Sequence, residues 1–245
     1  MIRSLAGSFM ELVFISPLIL LFLNKKSNYL KVLLLFAAYY LLNDCLLTVP
    51  LSFPKLDFLG GSWNWTGKLF AITGSLGFYF IFRKYFTESY FLTFSQKPGS
   101  LKTVLIVSFI TLLIYIVSSF LFNPTQNFNP ETLAFQITMP GLEEELAFRA
   151  IMLGLLSSVL IKEITINKVR IISPSILITA ILFGLGHSFY ISENWLLLMN
   201  WEYFGGTFVF AVTMGWLTLK SRSILFPTIN HNLCNFLINL IAMLK

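Results

Sequence analysis

Charged residues are scarce in this chain of 245 residues: they make up 11% of it, whereas hydrophobic residues make up 56%. The mean hydropathy is +0.78. A soluble domain carries about 25% charged residues, so this chain has too little charge to cover a surface that faces water. The composition therefore predicts an integral membrane protein.

Cysteine and aspartate are also rare, and this excludes several kinds of site. The two cysteines, Cys45 and Cys234, lie in or beside apolar runs, which excludes a disulfide framework and a cysteine-rich metal centre. Aspartyl protease chemistry needs two aspartates within the membrane, but Asp57 lies in a loop and Asp44 is the only other one.

Neither histidine begins the His-Glu-x-x-His motif of zinc proteases. Ser75 lacks the Gly-x-Ser-x-Gly setting of a serine nucleophile.

Long apolar runs are abundant. A bilayer core requires about 20 mainly apolar residues per helix, and eight runs approach that length. They are Ser8–Leu23, Leu30–Leu51, Trp65–Phe82, Leu101–Phe122, Gly141–Ile161, Ile172–Tyr190, Tyr203–Leu219 and Ile224–Leu244. The sequence predicts an all-α polytopic membrane protein, a bundle of about eight transmembrane helices that forms one domain over residues 1–245.

Two segments need a separate interpretation. The first run lacks a strongly basic region before it and a small-residue cleavage site after it, so it is interpreted as a retained span and not as a signal peptide. The segment Asn129–Met139 precedes Pro140 and Gly141, and it is a candidate for a short interfacial helix ahead of the fifth span.

The basic residues predict the orientation. Twelve of the 17 lie in the loops after spans one, three, five and seven, the side that the positive-inside rule places in the cytoplasm. They are Lys25, Lys26, Lys31, Arg83, Lys84, Lys97, Lys102, Lys162, Lys168, Arg170, Lys220 and Arg222. The opposite side holds Arg3, Lys55, Lys68 and Lys245, so both termini are expected outside the cytoplasm. Because the basic residues are dispersed between apolar runs, the net charge of +6 does not indicate a nucleic-acid partner.

The fifth span carries three successive acids, Glu143, Glu144 and Glu145, followed by Arg149. An ionisable residue within a span costs roughly 2.5–3.5 kcal/mol on insertion scales, so each requires a partner or a function. Glu145 and Arg149 are four residues apart, which predicts an ion pair along the helix. Glu144 points about 100° away and has no such partner in the sequence. Glu143 could instead lie in the interface at the helix N-terminus.

The chain has only two histidines, and both fall in apolar helices. Beside His187, Gly184 and Gly186 leave room for a helix or a substrate to approach. His231 and Asn235 project from one face of span eight, and both can donate hydrogen bonds while uncharged, as groups that stabilise an oxyanion must. A lone histidine in a membrane usually forms a hydrogen bond with a neighbouring helix. Two histidines together with Asn235 and the unpaired Glu144 instead favour a site in which glutamate and histidine act on water.

Three short motifs of this sequence resemble those of a known protein family. Residues 144–149 read Glu-Glu-Leu-Ala-Phe-Arg, residues 183–187 read Phe-Gly-Leu-Gly-His, and residues 231–235 read His-Asn-Leu-Cys-Asn. In order and in apolar helices, they resemble the Glu-Glu-x-x-x-Arg, Phe-x-x-x-His and His-x-x-x-Asn motifs of the CPBP family, the CAAX proteases and bacteriocin-processing enzymes also called Abi. The resemblance covers roughly Pro140–Asn239, and the first four spans carry no matching residue.

The resemblance implies an eight-helix bundle around a cavity and an intramembrane peptidase, a multi-pass protein of the prokaryotic cell (inner) membrane. The expected substrate is a peptide or protein with a membrane-associated segment. The roles carried over by position are water activation by Glu144 and His187, oxyanion binding by His231 and Asn235, and a supporting ion pair of Glu145 and Arg149.

Several alternatives remain open. No cofactor is expected, but Glu144, His187 and His231 could alternatively ligate zinc; the asparagine is a poor zinc ligand and a good oxyanion donor. The chain could instead be a non-proteolytic immunity or partner-binding factor, or a proton-coupled transporter. The substrate could be a prenylated CAAX peptide, a signalling-peptide precursor or a C-terminal sorting tail. Span six either extends past Tyr190 towards Trp195 or is broken near the site.

Overall fold

The computed structural model describes residues 1–24, 28–86, 91–167 and 169–245, and it is 74% helical. The helices are α1 (Ile2–Leu21), α2 (Tyr29–Ser52), α3 (Trp65–Phe82), α4 (Leu101–Phe122), α5 (Pro130–Gln136), α6 (Met139–Glu145), α7 (Leu153–Val159), α8 (Pro174–Ser188), α9 (Trp201–Ser221) and α10 (Leu225–Leu244). Lys25, Lys26 and Lys168, which contribute to the predicted orientation, lie outside the described residues.

Every predicted apolar run is helical over most of its length. The fifth run is formed by α6 and α7, which a π-helical segment, Leu146–Met152, joins without a break. Two antiparallel hairpins were not predicted: β1 (Ile164–Ile166) pairs with β2 (Val169–Ile172), and β3 (Phe189–Ile191) pairs with β4 (Leu197–Met199). The helical class is therefore confirmed, with two short hairpins added in the loops.

The outer surface is suited to lipid. Within the described residues, three helices are long and apolar enough to cross a membrane, namely α1, α2 and α4, and the apolar α8 is shorter. On α4 the inward-facing residues include Ser108, Thr111 and Ser119, whereas Phe109 and Phe120 are more than half exposed. A helix that buries hydroxyl groups and exposes phenylalanine is the reverse of a soluble one.

The continuous helix Met139–Val159 forms the centre of the molecule. Every side chain from Leu146 to Leu156 is buried, and α2, α3, α8, α9 and α10 all pack against parts of this helix. A π-helical stretch inside an α-helix occurs most often at functional sites, and this one follows directly after the three acids. The central helix therefore places those acids in the interior of the protein.

Of the two alternatives for span six, the extension beyond Tyr190 is not the one observed. Helix α8 ends at Ser188, and Phe189 begins β3 in an extended conformation. The main-chain N–H of Asn200 donates to the Ser188 carbonyl at 2.9 Å, which fixes the exit of the chain into the hairpin. With 15 residues, α8 is about 22 Å long, shorter than a bilayer core of about 30 Å. The alternative of helical backbone that stops near the site is the one the structure adopts.

The short helix predicted ahead of the fifth span is present as α5. Its first turn is capped by Asn129, whose side-chain oxygen accepts a hydrogen bond from the main chain of Thr132 at 3.0 Å. A turn separates α5 from α6, so the segment is not part of the fifth span. It lies against α10 and α6.

Asn232 connects α10 to the start of the central helix. Its Oδ1 accepts from the main-chain N–H of Gly141 at 2.7 Å, and its Nδ2 donates to the Thr138 carbonyl at 3.0 Å. The approach requires glycine at position 141, because a Cβ there would lie 2.6 Å from the Thr228 carbonyl oxygen. The side-chain amide of Asn232 thus links α10 to the main chain at the start of α6.

We predict that Asn232→Ala lowers the free energy of unfolding by about 1–3 kcal/mol, since two buried main-chain groups lose their partner. Thermal unfolding in detergent measures the effect. Asn239→Ala is the matched control, because its amide donates to the Asn235 carbonyl of its own helix, and its melting temperature should stay near that of the wild-type protein. Equal shifts in the two variants would contradict the prediction.

Candidate active site

Three residues distant in the sequence meet inside the protein. Glu144 lies at the end of α6, His187 on the last turn of α8, and His231 on the second turn of α10. Oε2 of Glu144 is 3.6 Å from Nε2 of His187 and 3.7 Å from Nε2 of His231. These gaps exceed a direct hydrogen bond, but they direct two imidazoles and a carboxylate toward one point.

The predicted ion pair is confirmed, and it has a further partner. Oε2 of Glu145 lies 3.1 Å from Nε of Arg149, and both side chains are completely buried. Oε1 of the same carboxylate lies 2.8 Å from Nδ1 of His231. The guanidinium also lies over the Phe183 ring, 5.2 Å from its centroid. Glu145 therefore couples the supporting pair to one of the histidines at the site.

Both histidines are oriented through Nδ1. That atom lies 2.7 Å from the Phe183 carbonyl oxygen in His187, and it contacts the Glu145 carboxylate in His231. Carbonyl and carboxylate oxygens only accept, so Nδ1 carries the proton in each ring, and an uncharged ring presents the lone pair of Nε2 to Glu144. With the proton on Nδ1, a hydrogen bond donated from Nε2 of His231 would need a second proton on the ring.

Glu144 is not unpaired, contrary to the sequence-based expectation. Nζ of Lys68, on the first turn of α3, lies 2.7 Å from Oε1 of Glu144 and 2.6 Å from Oε2 of Glu143. Nδ2 of Asn43 donates to the other oxygen of Glu143 at 2.9 Å. Glu143 is thus buried and paired inside the protein.

Lys68 and Asn43 were missed by sequence reasoning. Lys68 was counted with the loop residues on the outer side, but it lies inside α3 with only 12% of its side chain exposed. The available signal was its position, the fourth residue of an apolar run, where an ionisable group needs a partner. Asn43 likewise is a polar residue within the apolar run that forms α2. Neither position indicates which acid is the partner.

The four predicted catalytic residues border one cavity of about 660 Å³. Asn235 lies one turn beyond His231 and lines this cavity with Glu144, His187 and His231. A second cavity of about 470 Å³, which Glu11 and other residues of α1 and α2 line, reaches Glu144, His187 and Lys68 from another side. Within the part of the chain that the structure describes, no group of three His, Cys, Asp or Glu side chains is arranged to hold a metal ion.

The rim of the larger cavity is ordered by Glu131 of α5. Its carboxylate accepts from the indole N–H of Trp65 at 3.1 Å and from the main-chain N–H of Ser62 at 2.8 Å. The bond from Trp65 is the main cause that lowers the pKa of Glu131 below its usual range. Trp63 stacks on Phe135 with ring centroids 4.9 Å apart. The loop before α3 is thereby fixed to α5, and Trp63 and Phe135 both line the larger cavity.

An acid- and histidine-lined cavity inside an apolar helical protein has the features of a membrane hydrolase. The family model described as "Type II CAAX prenyl endopeptidase Rce1-like" matches residues 126–237, which contain all three motifs. Over that region the chain is similar to the Rce1-like CAAX endopeptidases, and this match indicates a membrane protease, a hydrolase of the CAAX protease type. No curated protein and no solved structure matches the chain significantly.

We predict that Arg149→Ala lowers the free energy of unfolding by about 3–5 kcal/mol, because it leaves the buried carboxylate of Glu145 without its cation. Thermal unfolding in detergent measures the loss. Arg170→Ala is the matched control: its ion pair with Glu163 is exposed, and such pairs contribute about 0–1 kcal/mol. A melting temperature for Arg149→Ala equal to that of the control would contradict a stabilising role for the buried pair.

Proposed function

We propose that this protein is an intramembrane endopeptidase that hydrolyses a peptide bond of a membrane-presented peptide or protein, using water activated by Glu144 and His187. The observation that carries the proposal is the meeting of Glu144 Oε2 with the Nε2 atoms of His187 and His231, at 3.6 and 3.7 Å, on the wall of a cavity of about 660 Å³. The family match over the same residues supports a hydrolase.

The proposal places this site in a multi-pass protein of the prokaryotic cell (inner) membrane, in which eight segments cross the bilayer. The helical structure of all eight apolar runs supports it, as does the apolar outer face of α4. A bilayer surrounding these helices would keep bulk water away from the site and strengthen the electrostatic interactions inside it.

In the proposed reaction, the attacking water donates one hydrogen bond to Oε2 of Glu144 and the other to the lone pair of Nε2 in His187. Its oxygen forms a bond to the carbonyl carbon of the scissile peptide while Glu144 accepts the proton. The C–N bond then breaks, and that proton passes to the leaving nitrogen. The products are a new carboxyl group and a new amine, and Glu144 returns to its starting form.

The oxyanion that forms on the carbonyl is assigned to Asn235 and His231. Asn235 donates from its neutral amide. His231 keeps its Nδ1–H on Glu145 and directs Nε2 towards the same space, so it would be the second donor when Nε2 has also taken up a proton from solvent. Glu145 is itself held by Arg149, so the donor is oriented before the substrate arrives, and preorganised donors of this kind provide large stabilisation of a transition state.

The proposed mechanism uses no metal. Zinc held by Glu144, His187 and His231 would need the negative charge of Glu144, but the Lys68 ammonium already contacts that carboxylate at 2.7 Å. A divalent cation added there would lie near a lysine that shares its carboxylate, and the repulsion between them weakens binding. The residues therefore fit a proton-transfer site better than a zinc site.

The substrate class is proposed from the cavity. Trp63, Phe135, Phe210 and Tyr115 line its wall beside the polar catalytic groups, which suits a peptide with apolar side chains or an attached lipid. The family name designates prenylated CAAX proteins as substrates of its members. A farnesylated CAAX peptide in liposomes is therefore the first probe, followed by a comparison of peptides released in cells with and without this protein.

We predict that Glu144→Gln abolishes cleavage while the protein stays folded and inserted, because the amide keeps the shape of the side chain but cannot accept the proton. The measurement is turnover of the purified variant in liposomes. Glu163→Gln is the matched control, an exposed acid on the β1–β2 hairpin, and it should retain full turnover. Near-normal turnover of Glu144→Gln would remove it as the base and favour a binding factor on the same scaffold.

A second prediction separates the oxyanion role from zinc ligation. Asn235→Ala should lower kcat about 10²–10³-fold with little change in KM, because its donor acts on the transition state. Elemental analysis of the active enzyme and of His231→Ala, with chelator treatment of both, provides the comparison. We expect activity without stoichiometric zinc. Zinc that is lost and restored together with activity, and depleted in His231→Ala, would overturn the metal-free mechanism.

A further inference from the structure

Lys68 reaches the candidate site from a part of the chain that the family match does not cover, since the match spans residues 126–237. It lies on the first turn of α3, and its ammonium bridges two acids of the central helix, at 2.6 Å from Glu143 and 2.7 Å from Glu144. Its side chain borders both cavities. The third apolar run thus provides a charge where the two cavities meet.

We propose that Lys68 is a positioning residue for Glu144: its ammonium holds Oε1, keeps the side chain as a carboxylate, and leaves Oε2 directed at the two histidines. This inference rests on the proposed function, in which Glu144 is the base. It also assigns a role to the N-terminal half of the chain, which completes a site whose motif residues all lie in the other half.

The division of the two carboxylate oxygens is the first argument. Oε1 of Glu144 contacts Lys68, whereas Oε2 has no hydrogen-bond partner among the described residues and faces Nε2 of His187 and His231. A carboxylate with one oxygen held by a cation cannot rotate freely, so the other oxygen keeps its direction. A base must have that direction set before the substrate binds.

Charge balance is the second argument. Besides Lys68 from α3, the charged and titratable groups near Glu144 are His187 from α8, His231 from α10, Tyr203 from α9, and Glu143, Glu145 and Arg149 of its own helix. Arg149 contacts Glu145, which leaves Lys68 as the lysine or arginine in contact with Glu144 among the described residues. In a cluster of three adjacent acids, a cation in direct contact favours the ionised form that the reaction requires.

A purely structural role is the competing explanation, in which Lys68 only neutralises the buried Glu143. The structure weakens it, because Asn43 already donates to Glu143 and the ammonium is as close to Glu144 as to Glu143. Asn43 also provides a matched control. Its replacement disturbs the side of Glu143 that faces α2 and leaves the contact between Lys68 and Glu144 in place.

The test compares Lys68→Met, Lys68→Arg, Asn43→Ala and the double variant Lys68→Met/Glu143→Gln, each reconstituted in liposomes at pH 7. Dicyclohexylcarbodiimide couples to protonated carboxyl groups in apolar surroundings, and mass spectrometry of the labelled protein identifies the acid that reacted. Loss of the signal in Glu144→Gln assigns it to Glu144. This readout needs no substrate, so it is independent of whether the proposed reaction occurs.

We expect Lys68→Met to increase labelling of Glu144 about tenfold or more, in the single and the double variant alike. In Lys68→Arg and Asn43→Ala, the labelling of Glu144 should equal that of the wild-type protein. In the cleavage assay, Lys68→Met should lose about 10²-fold in kcat with KM little changed, and Lys68→Arg should recover part of it. Labelling of Glu143 alone in Lys68→Met, or recovery of activity in the double variant, would overturn the positioning role. Turnover that persists in Glu144→Gln would instead contradict the proposed function.

Discussion

The buried ion pair of Glu145 and Arg149 is the interaction on which the rest of the site depends. Neither side chain is exposed, and removing two charges from water costs several kcal/mol for each ion unless they are well paired. The guanidinium is partly compensated by Glu145 and by the ring faces of Phe148 and Phe183, although its three nitrogens have no hydrogen-bond partner among the described residues. With its charge balanced, Glu145 holds Nδ1 of His231 at 2.8 Å, so the pair also decides which nitrogen of that histidine faces Glu144.

The three adjacent acids are stabilised in three different ways. Glu145 is paired with Arg149 and with His231, and Glu143 is paired with Lys68 and Asn43. Glu144 receives the lysine on one oxygen and directs the other oxygen at the histidines. The two neighbouring acids are thus paired through contacts that order the helices, while the middle acid retains a buried oxygen that has no hydrogen-bond partner among the described residues. The π-helical segment follows this cluster directly.

Membrane helices have little hydrophobic driving force between them, so polar contacts and close backbone approaches contribute to their association. In this protein the same contacts build the site. Asn232 joins α10 to the start of α6. Helix α8 ends at Ser188, one residue after His187, and the Ser188 carbonyl accepts a hydrogen bond from the main-chain N–H of Asn200. Because α8 stops there, its terminal histidine lies level with the second turn of α10. The short helix and the hairpin after it therefore explain how two histidines on different helices reach one carboxylate.

The sequence by itself determined the features that depend on local geometry. Apolar runs of about 20 residues predicted the helices, because a backbone in lipid must satisfy its hydrogen bonds within the segment. The four-residue spacing of Glu145 and Arg149 predicted their ion pair, because that spacing places them on one helix face. The three motifs identified the residues that line the cavity.

Only the tertiary structure decided the features that depend on contacts between distant segments. Lys68 pairs with an acid 76 positions away, and nothing near position 68 indicates which helix will lie against it. Glu145 selects the protonated nitrogen of His231 across 86 positions. The end of α8 at Ser188 depends on the bond from Asn200 and on the pairing of β3 with β4. In each case the partner is brought close by the packing of helices, which the residue types and their spacing along one helix do not specify.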